Sequence, residues 1–431
     1  MAVLSSTSPG QLSKYVVPTV ESINSGRVST ATKTYTLKKN AQNEQAVKAF
    51  LQLGMGGSRT QKDALNIVLQ TTDSKNKEIR IGSLNKPNIK YNLGDMAEGV
   101  VGAAICARFI YKNRTITTRQ VYGVLRSMGT PTNYPGKKGK QVEKTFKSAN
   151  ANPKIMDDVR LFISLAEVNM LALLSRGNES LLREYVESAV KYANSPNVTK
   201  WSKLVYENNR YDKIEVLSDG LGGQRSTKVD VSVKITNDKG ELMPVDILVS
   251  LKAGDVKQFG QVSGAEFAKQ QDLWGRLFGY DGSIQGLEEK YTDLMFVKKK
   301  PDEAVSLVYE FVNRKLNGDL KDQPDLILRN LSSAINYFAT LNEENVTLLQ
   351  VGQSKAKVYK FDDIYNRIKG KTYESKIVRG KSNLPTILIE SEGKPLIQFR
   401  VKQEFKSDGS PYVRNYIEKQ KLMADLLGET L

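Results

Sequence analysis

The clearest alternation of hydrophobic and polar positions lies between residues 228 and 253. Apolar Val229, Val231 and Val233 alternate with Asp230, Ser232 and Lys234; further on, Val245, Ile247, Val249 and Leu251 alternate with Asp246, Leu248, Ser250 and Lys252. A period of two predicts two strands, each with one buried face. The polar run Asn237-Asp238-Lys239-Gly240 between them favours a tight turn, so the pair predicts a β-hairpin. If Lys234 pairs with Asp246, antiparallel register sets Asp230 opposite Ser250, with side chains about 5 Å apart. Asp230, Ser250 and Lys252 would then converge at one end of the hairpin, an active-site geometry.

Helical spacing predicts helices at 42–54, 61–70, 93–110, 117–127, 154–176, 179–193, 265–279, 280–291, 302–317 and 325–341. From 345 the pattern turns to short strands (346–350, 355–361, 375–379, 385–390, 396–404), with helices at 362–369 and near 412–427. The first twelve residues are rich in Ser, Thr, Pro and Gly and suit a mobile tail. These patterns predict an α/β (α+β) protein in three sections. Residues 1–90 are a tail and helical lead-in, 91–290 a mixed-sheet core with a helical insertion at about 115–210, and 291–431 a C-terminal α+β module.

One residue stands out on the helix at 93–110. Met96, Val100, Val101, Ala104, Ile105 and Phe109 are apolar, and Gly99, Gly102, Ala103 and Ala104 would let it sit close against a sheet. Glu98 is the exception, and buried carboxylates are rare unless they bind something. Asp95, one turn earlier, competes with it, although the helix dipole alone favours an acid in the first turn.

Charge changes the picture next. The 431 residues carry 64 Lys and Arg against 47 Asp and Glu, a net charge of +17, and 39% of them are hydrophobic. That length suffices for two or three domains, and the dispersed surplus points first to a polyanion such as nucleic acid. The Pro/Gly-broken loop at 130–149, with Lys137, Lys138, Lys140, Lys144 and Lys147, is the leading candidate for phosphate contact. Arg225, in the glycine-rich loop before Asp230, could touch a phosphate; an ordinary flexible loop fits that segment as well. The strand at 396–404 sets Gln398, Arg400, Lys402 and Glu404 on one face, followed by Tyr412, Arg414 and Tyr416. Arginine with tyrosine suits phosphate and base contacts, but a charged exposed face with packing tyrosines fits equally well.

Absences narrow the chemistry. There is no histidine, which excludes Ser-His-Asp and Cys-His catalysis, histidine-dependent nucleases and His-ligated zinc. A single cysteine, Cys106, excludes an internal disulfide and suits a reducing compartment. No apolar run approaches ~18 residues, and the N-terminus lacks a signal-peptide pattern, so a soluble intracellular protein is expected. Neither GMGGSRT at 54–60 nor DGLGGQRST at 219–227 is a phosphate loop, because the Gly-Lys-Ser/Thr ending is missing.

Asp230 and the Ser250-Leu251-Lys252 run resemble the hairpin of the PD-(D/E)XK, or restriction-endonuclease-like, nucleases, in a phage-type variant. The resemblance covers roughly 95–110 and 228–275. It implies a restriction-endonuclease-like core and a Mg²⁺- or Mn²⁺-dependent nuclease acting on DNA. Asp230 matches the first aspartate and Lys252 the lysine that helps activate water. Ser250 departs from the pattern, which expects Asp or Glu there; Glu98 looks like the extra helical glutamate that some members add to the metal site. By the same likeness, the Leu251 carbonyl would be a further metal ligand, and Gln261, or failing it Gln258, would hold water or a phosphate. The alternative is a nucleic-acid-binding or virion-associated protein that keeps the fold without the chemistry; a basic structural scaffold is a third reading. Cytoplasmic or virion location follows from these readings, and a homo-oligomer stays open.

Overall fold

The computed structural model describes residues 3–4, 33–38, 78–83, 92–112, 114–129, 141–149, 156–165, 167–168, 170–171, 179–208, 211–218, 227–237, 239–361, 363–380 and 383–431. The helices expected at 42–54 and 61–70 lie outside the described residues, as do Lys137, Lys138, Lys140 and Arg225. The protein is α+β, with a mixed sheet and a second, antiparallel sheet. It separates into two compact units rather than three sections. The first comprises Met1–Gly254, Val351–Ala356 and Leu431; the second comprises Asp255–Gln350 and Lys357–Thr430.

In the first unit β1 (Val3–Leu4), β2 (Lys33–Lys38) and β3 (Glu78–Ser83) form a small sheet of their own. The larger sheet runs in the order β4-β5-β6-β7-β9, from β4 (Gln141–Ala149), β5 (Met156–Ser164), β6 (Tyr211–Ser218), β7 (Val231–Asn237) and β9 (Leu248–Ala253). The short β8 (Leu242–Met243) pairs with β7. β5 and β6 are parallel and their neighbours antiparallel, which makes the sheet mixed. α1 (Leu93–Ile110) lies across it, flanked by α2 (Thr118–Met128), α3 (Glu179–Ala193) and α4 (Pro196–Asn208).

Close packing of α1 depends on glycine. A Cβ at Gly99 would fall 2.9 Å from Leu171 Cδ1 and 3.0 Å from Ile163 Cδ1, and one at Gly102 would fall 3.2 Å from Ser218 Cβ. The small residues therefore do bring this helix against the sheet. Asn92 starts the helix by accepting the Gly94 N–H on its side-chain oxygen at 3.2 Å.

Two sequence expectations fail in this unit. The helix expected over 154–176 begins instead as β5, whose Val159, Leu161 and Ile163 are fully buried at every second position, and only the described residues 165, 167–168 and 170–171 beyond it are helical. Its partner β4 occupies the end of the expected basic loop, with Lys147 ion-paired to Asp158. The region 115–210 therefore supplies two strands of the core sheet beside its helices α2, α3 and α4. The apolar run continues past Ser164 through Leu165, Val168 and Leu171, which also satisfies a helical period.

The hairpin itself forms as the alternation predicts. Asn237 Oδ1 accepts the N–H groups of Lys239 at 3.0 Å and Glu241 at 2.7 Å, and Gly240 takes the positive φ of +81° that the turn needs. Pairing then breaks at Pro244, which has no N–H to donate. It resumes two residues out of step, from Ile235↔Met243 to Val231↔Val249.

The second unit holds a five-stranded antiparallel sheet in the order β10-β16-β15-β14-β13. Its first strand is β10 (Gln258–Ser263); β11 (Val346–Gly352) and β12 (Lys355–Tyr359) follow in the chain. The others are β13 (Glu374–Arg379), β14 (Pro385–Ser391), β15 (Lys394–Phe405) and β16 (Pro411–Lys419). α5 (Phe267–Phe278), α6 (Pro301–Asp322) and α7 (Pro324–Thr340) pack on the sheet, and α8 (Lys421–Leu427) leads to β17 (Gly428–Thr430), which pairs with β12. The helix expected near 412–427 is β16 up to Lys419 and forms only as α8 from Lys421 to Leu427. Val413 and Ile417 are four apart, a spacing that serves one helix stripe or one strand face equally well.

Trp274 anchors this unit. It is fully buried and meets the rings of Tyr309 and Phe399 edge-on, with centroids 5.1 and 5.6 Å away. Trp274→Ala is expected to destabilise the protein by ~3–5 kcal/mol, and Trp274→Phe by much less. Denaturant midpoints measure both; an unchanged midpoint for the alanine variant would remove Trp274 as an anchor. No helix among the described residues is long and apolar enough to cross a membrane.

Candidate active site

The site is built where β7 begins and β9 ends. Asp230, the residue before β7, donates its N–H to the Val249 carbonyl at 2.7 Å. Its Oδ2 accepts the Leu251 N–H at 2.6 Å, and the Ser250 hydroxyl also bonds to it. The pairing ends at Val231↔Val249, the register that the alternation predicts for the two strands, and Asp230 stands just beyond it beside Ser250 and Leu251. Ser250 is buried and Asp230 and Lys252 are partly buried. Lys252 Nζ donates to the Leu251 carbonyl at 3.0 Å.

Glu98 joins this group from α1. Burial pushes its carboxyl up from 4.5 to about 8, with the charges of Asp230 and Asp95 adding to the rise. Lys252 and a hydrogen bond with Glu167 oppose it. Burial likewise raises Asp230 against the pull of Lys252, the Leu251 N–H, Lys228 and Ser250. Lys252 is lowered by burial and by Lys228, while Asp230 and Glu98 draw it upward. Two mutually repelling acids and a lysine thus share a poorly hydrated corner, an arrangement that favours binding a cation or moving a proton.

Glu98 Oε2 is buried without a hydrogen-bond partner. An orphaned carboxylate oxygen beside a second acid suits a divalent cation, and in that respect the residues fit the expected ion. Two observations temper the fit. The Leu251 carbonyl already accepts from Lys252. Among the described residues, no group of three or more acids, histidines or cysteines could hold a metal ion by itself.

Glu167, which the sequence reading missed, belongs to the site. It is fully buried after β5, its N–H donates to Ser164 Oγ at 3.2 Å, and its Oε2 accepts the Ser218 hydroxyl at 2.8 Å. The signal is the same as for Glu98, a lone acid in an apolar run (ISLAEV). Lys228 was also passed over, although its charge bears on both Asp230 and Lys252.

Other expected residues belong to the second unit. Gln258 and Gln261 are on β10 of the second unit, where Gln261 pairs with Tyr416 and the two glutamine side chains approach at 3.3 Å. Arg400, Lys402 and Arg414 lie on β15 and β16, with Lys402 opposite Arg414 and Arg400 opposite Tyr416. Arg400 is already neutralised by Glu418 at 2.7 Å and covers the Tyr416 ring at 4.5 Å. Lys402 is paired with Glu404, while Arg414 lies over Tyr412 at 4.9 Å. Much of that basic face is therefore internally compensated.

Compared with known proteins, the chain matches no family model, no curated protein and no solved structure. The site alone carries the functional argument.

Proposed function

We propose that the first unit is a divalent-metal-dependent nuclease that hydrolyses DNA phosphodiester bonds, resembling the PD-(D/E)XK enzymes. The observation that carries this reading is the group Glu98, Asp230 and Lys252 at the end of the hairpin, with Glu98 Oε2 buried and unpartnered. Asp230 and Glu98 would hold Mg²⁺ or Mn²⁺, with the Leu251 carbonyl as a further ligand once Lys252 turns away. When bound, the ion would neutralise charge on the scissile phosphate and acidify a water. Lys252, with burial easing loss of its proton, would take or orient a proton of that water. The +17 net charge supplies attraction to the phosphate backbone. The cytoplasm or a virion is the setting this reading implies.

A second reading, nucleic-acid binding without chemistry, is favoured by Ser250. Its hydroxyl is occupied by Asp230, where the family's third acid would stand. Cleavage of supercoiled, linear and single-stranded DNA with Mg²⁺, Mn²⁺ or EDTA separates the two; metal-independent binding with no product would leave the second. Ser250→Asp supplies the missing acid, so activity should hold or rise and half-saturate at lower Mg²⁺. A fall in activity would assign the serine its own role, and identical behaviour would place position 250 outside the site.

A further inference from the structure

Glu167 is a full carboxyl group with no solvent exposure, which is rare unless the group is held for a purpose. Ser218, at the end of β6, bonds one of its oxygens at 2.8 Å, and Ser164, at the end of β5, caps its N–H at 3.2 Å. The glycines of α1 press on the same two residues. A Cβ at Gly99 would stand 3.3 Å from Glu167 Cβ, and one at Gly102 3.2 Å from Ser218 Cβ. Glu98, adjacent to Gly99, shares a carboxyl–carboxyl hydrogen bond with Glu167, and its Oε2 is a buried oxygen with no other partner.

We propose that Glu167, fixed by Ser218 and Ser164, is a positioning residue that orients the Glu98 carboxyl toward a ligand shared with Asp230. The inference rests on the metal-site reading above and adds residues that the family resemblance does not supply. Glu167 is assigned to Glu98 and not to the ion, since among the described residues no group of three acids could hold one.

The test is Mn²⁺ binding to the full-length protein by calorimetry, with thermal melting of every variant. Glu167→Leu and Ser218→Ala should weaken Mn²⁺ binding roughly tenfold or more, the usual effect of losing a residue that orients a metal ligand. Glu167→Gln should stay within about threefold of the native protein, because its amide can accept from Ser218 and donate to Glu98. If Glu167→Leu does not fold, Ser218→Ala against Glu167→Gln makes the same comparison. Native affinity in a folded Glu167→Leu or in Ser218→Ala would overturn the proposal, as would a glutamine variant as weak as the leucine one. A native protein that binds no Mn²⁺ would instead sink the metal reading, and the proposal with it; that outcome is seen before any substitution is made.

Discussion

Lys252→Ala is expected to lower DNA cleavage on the order of 10³-fold, and Asp230→Asn at least as much, the scale of a lost proton-transfer or metal-holding group. The two variants should differ in Mn²⁺ binding. Asp230→Asn removes a charged oxygen and should weaken it strongly. Lys252→Ala removes a nearby positive charge and frees the Leu251 carbonyl, so affinity should hold or rise. Both should keep DNA affinity within a few-fold, because binding to a polyanion comes from many dispersed phosphate contacts. A Lys252→Ala variant that cleaves normally would remove the lysine from the chemistry; equal loss of DNA affinity in both would make this a binding surface. The dispersed contacts have a test of their own. Replacing Lys137, Lys138 and Lys140 together should flatten the salt dependence of binding by up to roughly three in log–log slope.

The hairpin was legible because two independent signals agreed: alternation fixed which faces are buried, and the Asn237–Gly240 turn fixed where the chain reverses. Pro244 shifts the pairing by two residues, an even number, so every side chain stays on its expected face although its partner changes. Glu98 was legible because α1 is otherwise so apolar that an acid had to be explained. Glu167 was not, since the apolar run from Val159 to Leu171 satisfies strand and helix periods at once. The same ambiguity hid β16, where Val413 and Ile417 fit either element. Gln261 belongs to the second unit, which the chain enters at Asp255, and nothing in the local pattern at 254–258 marks that change.

Glu98→Gln should make the metal-free protein more stable, by an amount that grows with pH. The native Glu98 carboxyl titrates at about 8 instead of 4.5. Between those values the unfolded chain has lost this proton while the native protein keeps it. Native stability therefore falls as pH rises through that window, by up to ~1.4 kcal/mol per pH unit for this group alone. Below pH 4.5 both states hold the proton and the penalty is absent. Glutamine carries no such proton and can still hydrogen-bond to Glu167, so it escapes the penalty. In EDTA, melting of the variant should match the native protein near pH 4.5 and exceed it by several degrees at pH 8. Added Mn²⁺ should then raise native melting at pH 8 more than that of the variant, since only the native carboxylate can be charged and bound. A gap that is constant across pH would mean position 98 acts through packing alone, and equal Mn²⁺ stabilisation of both proteins would take Glu98 out of the metal site.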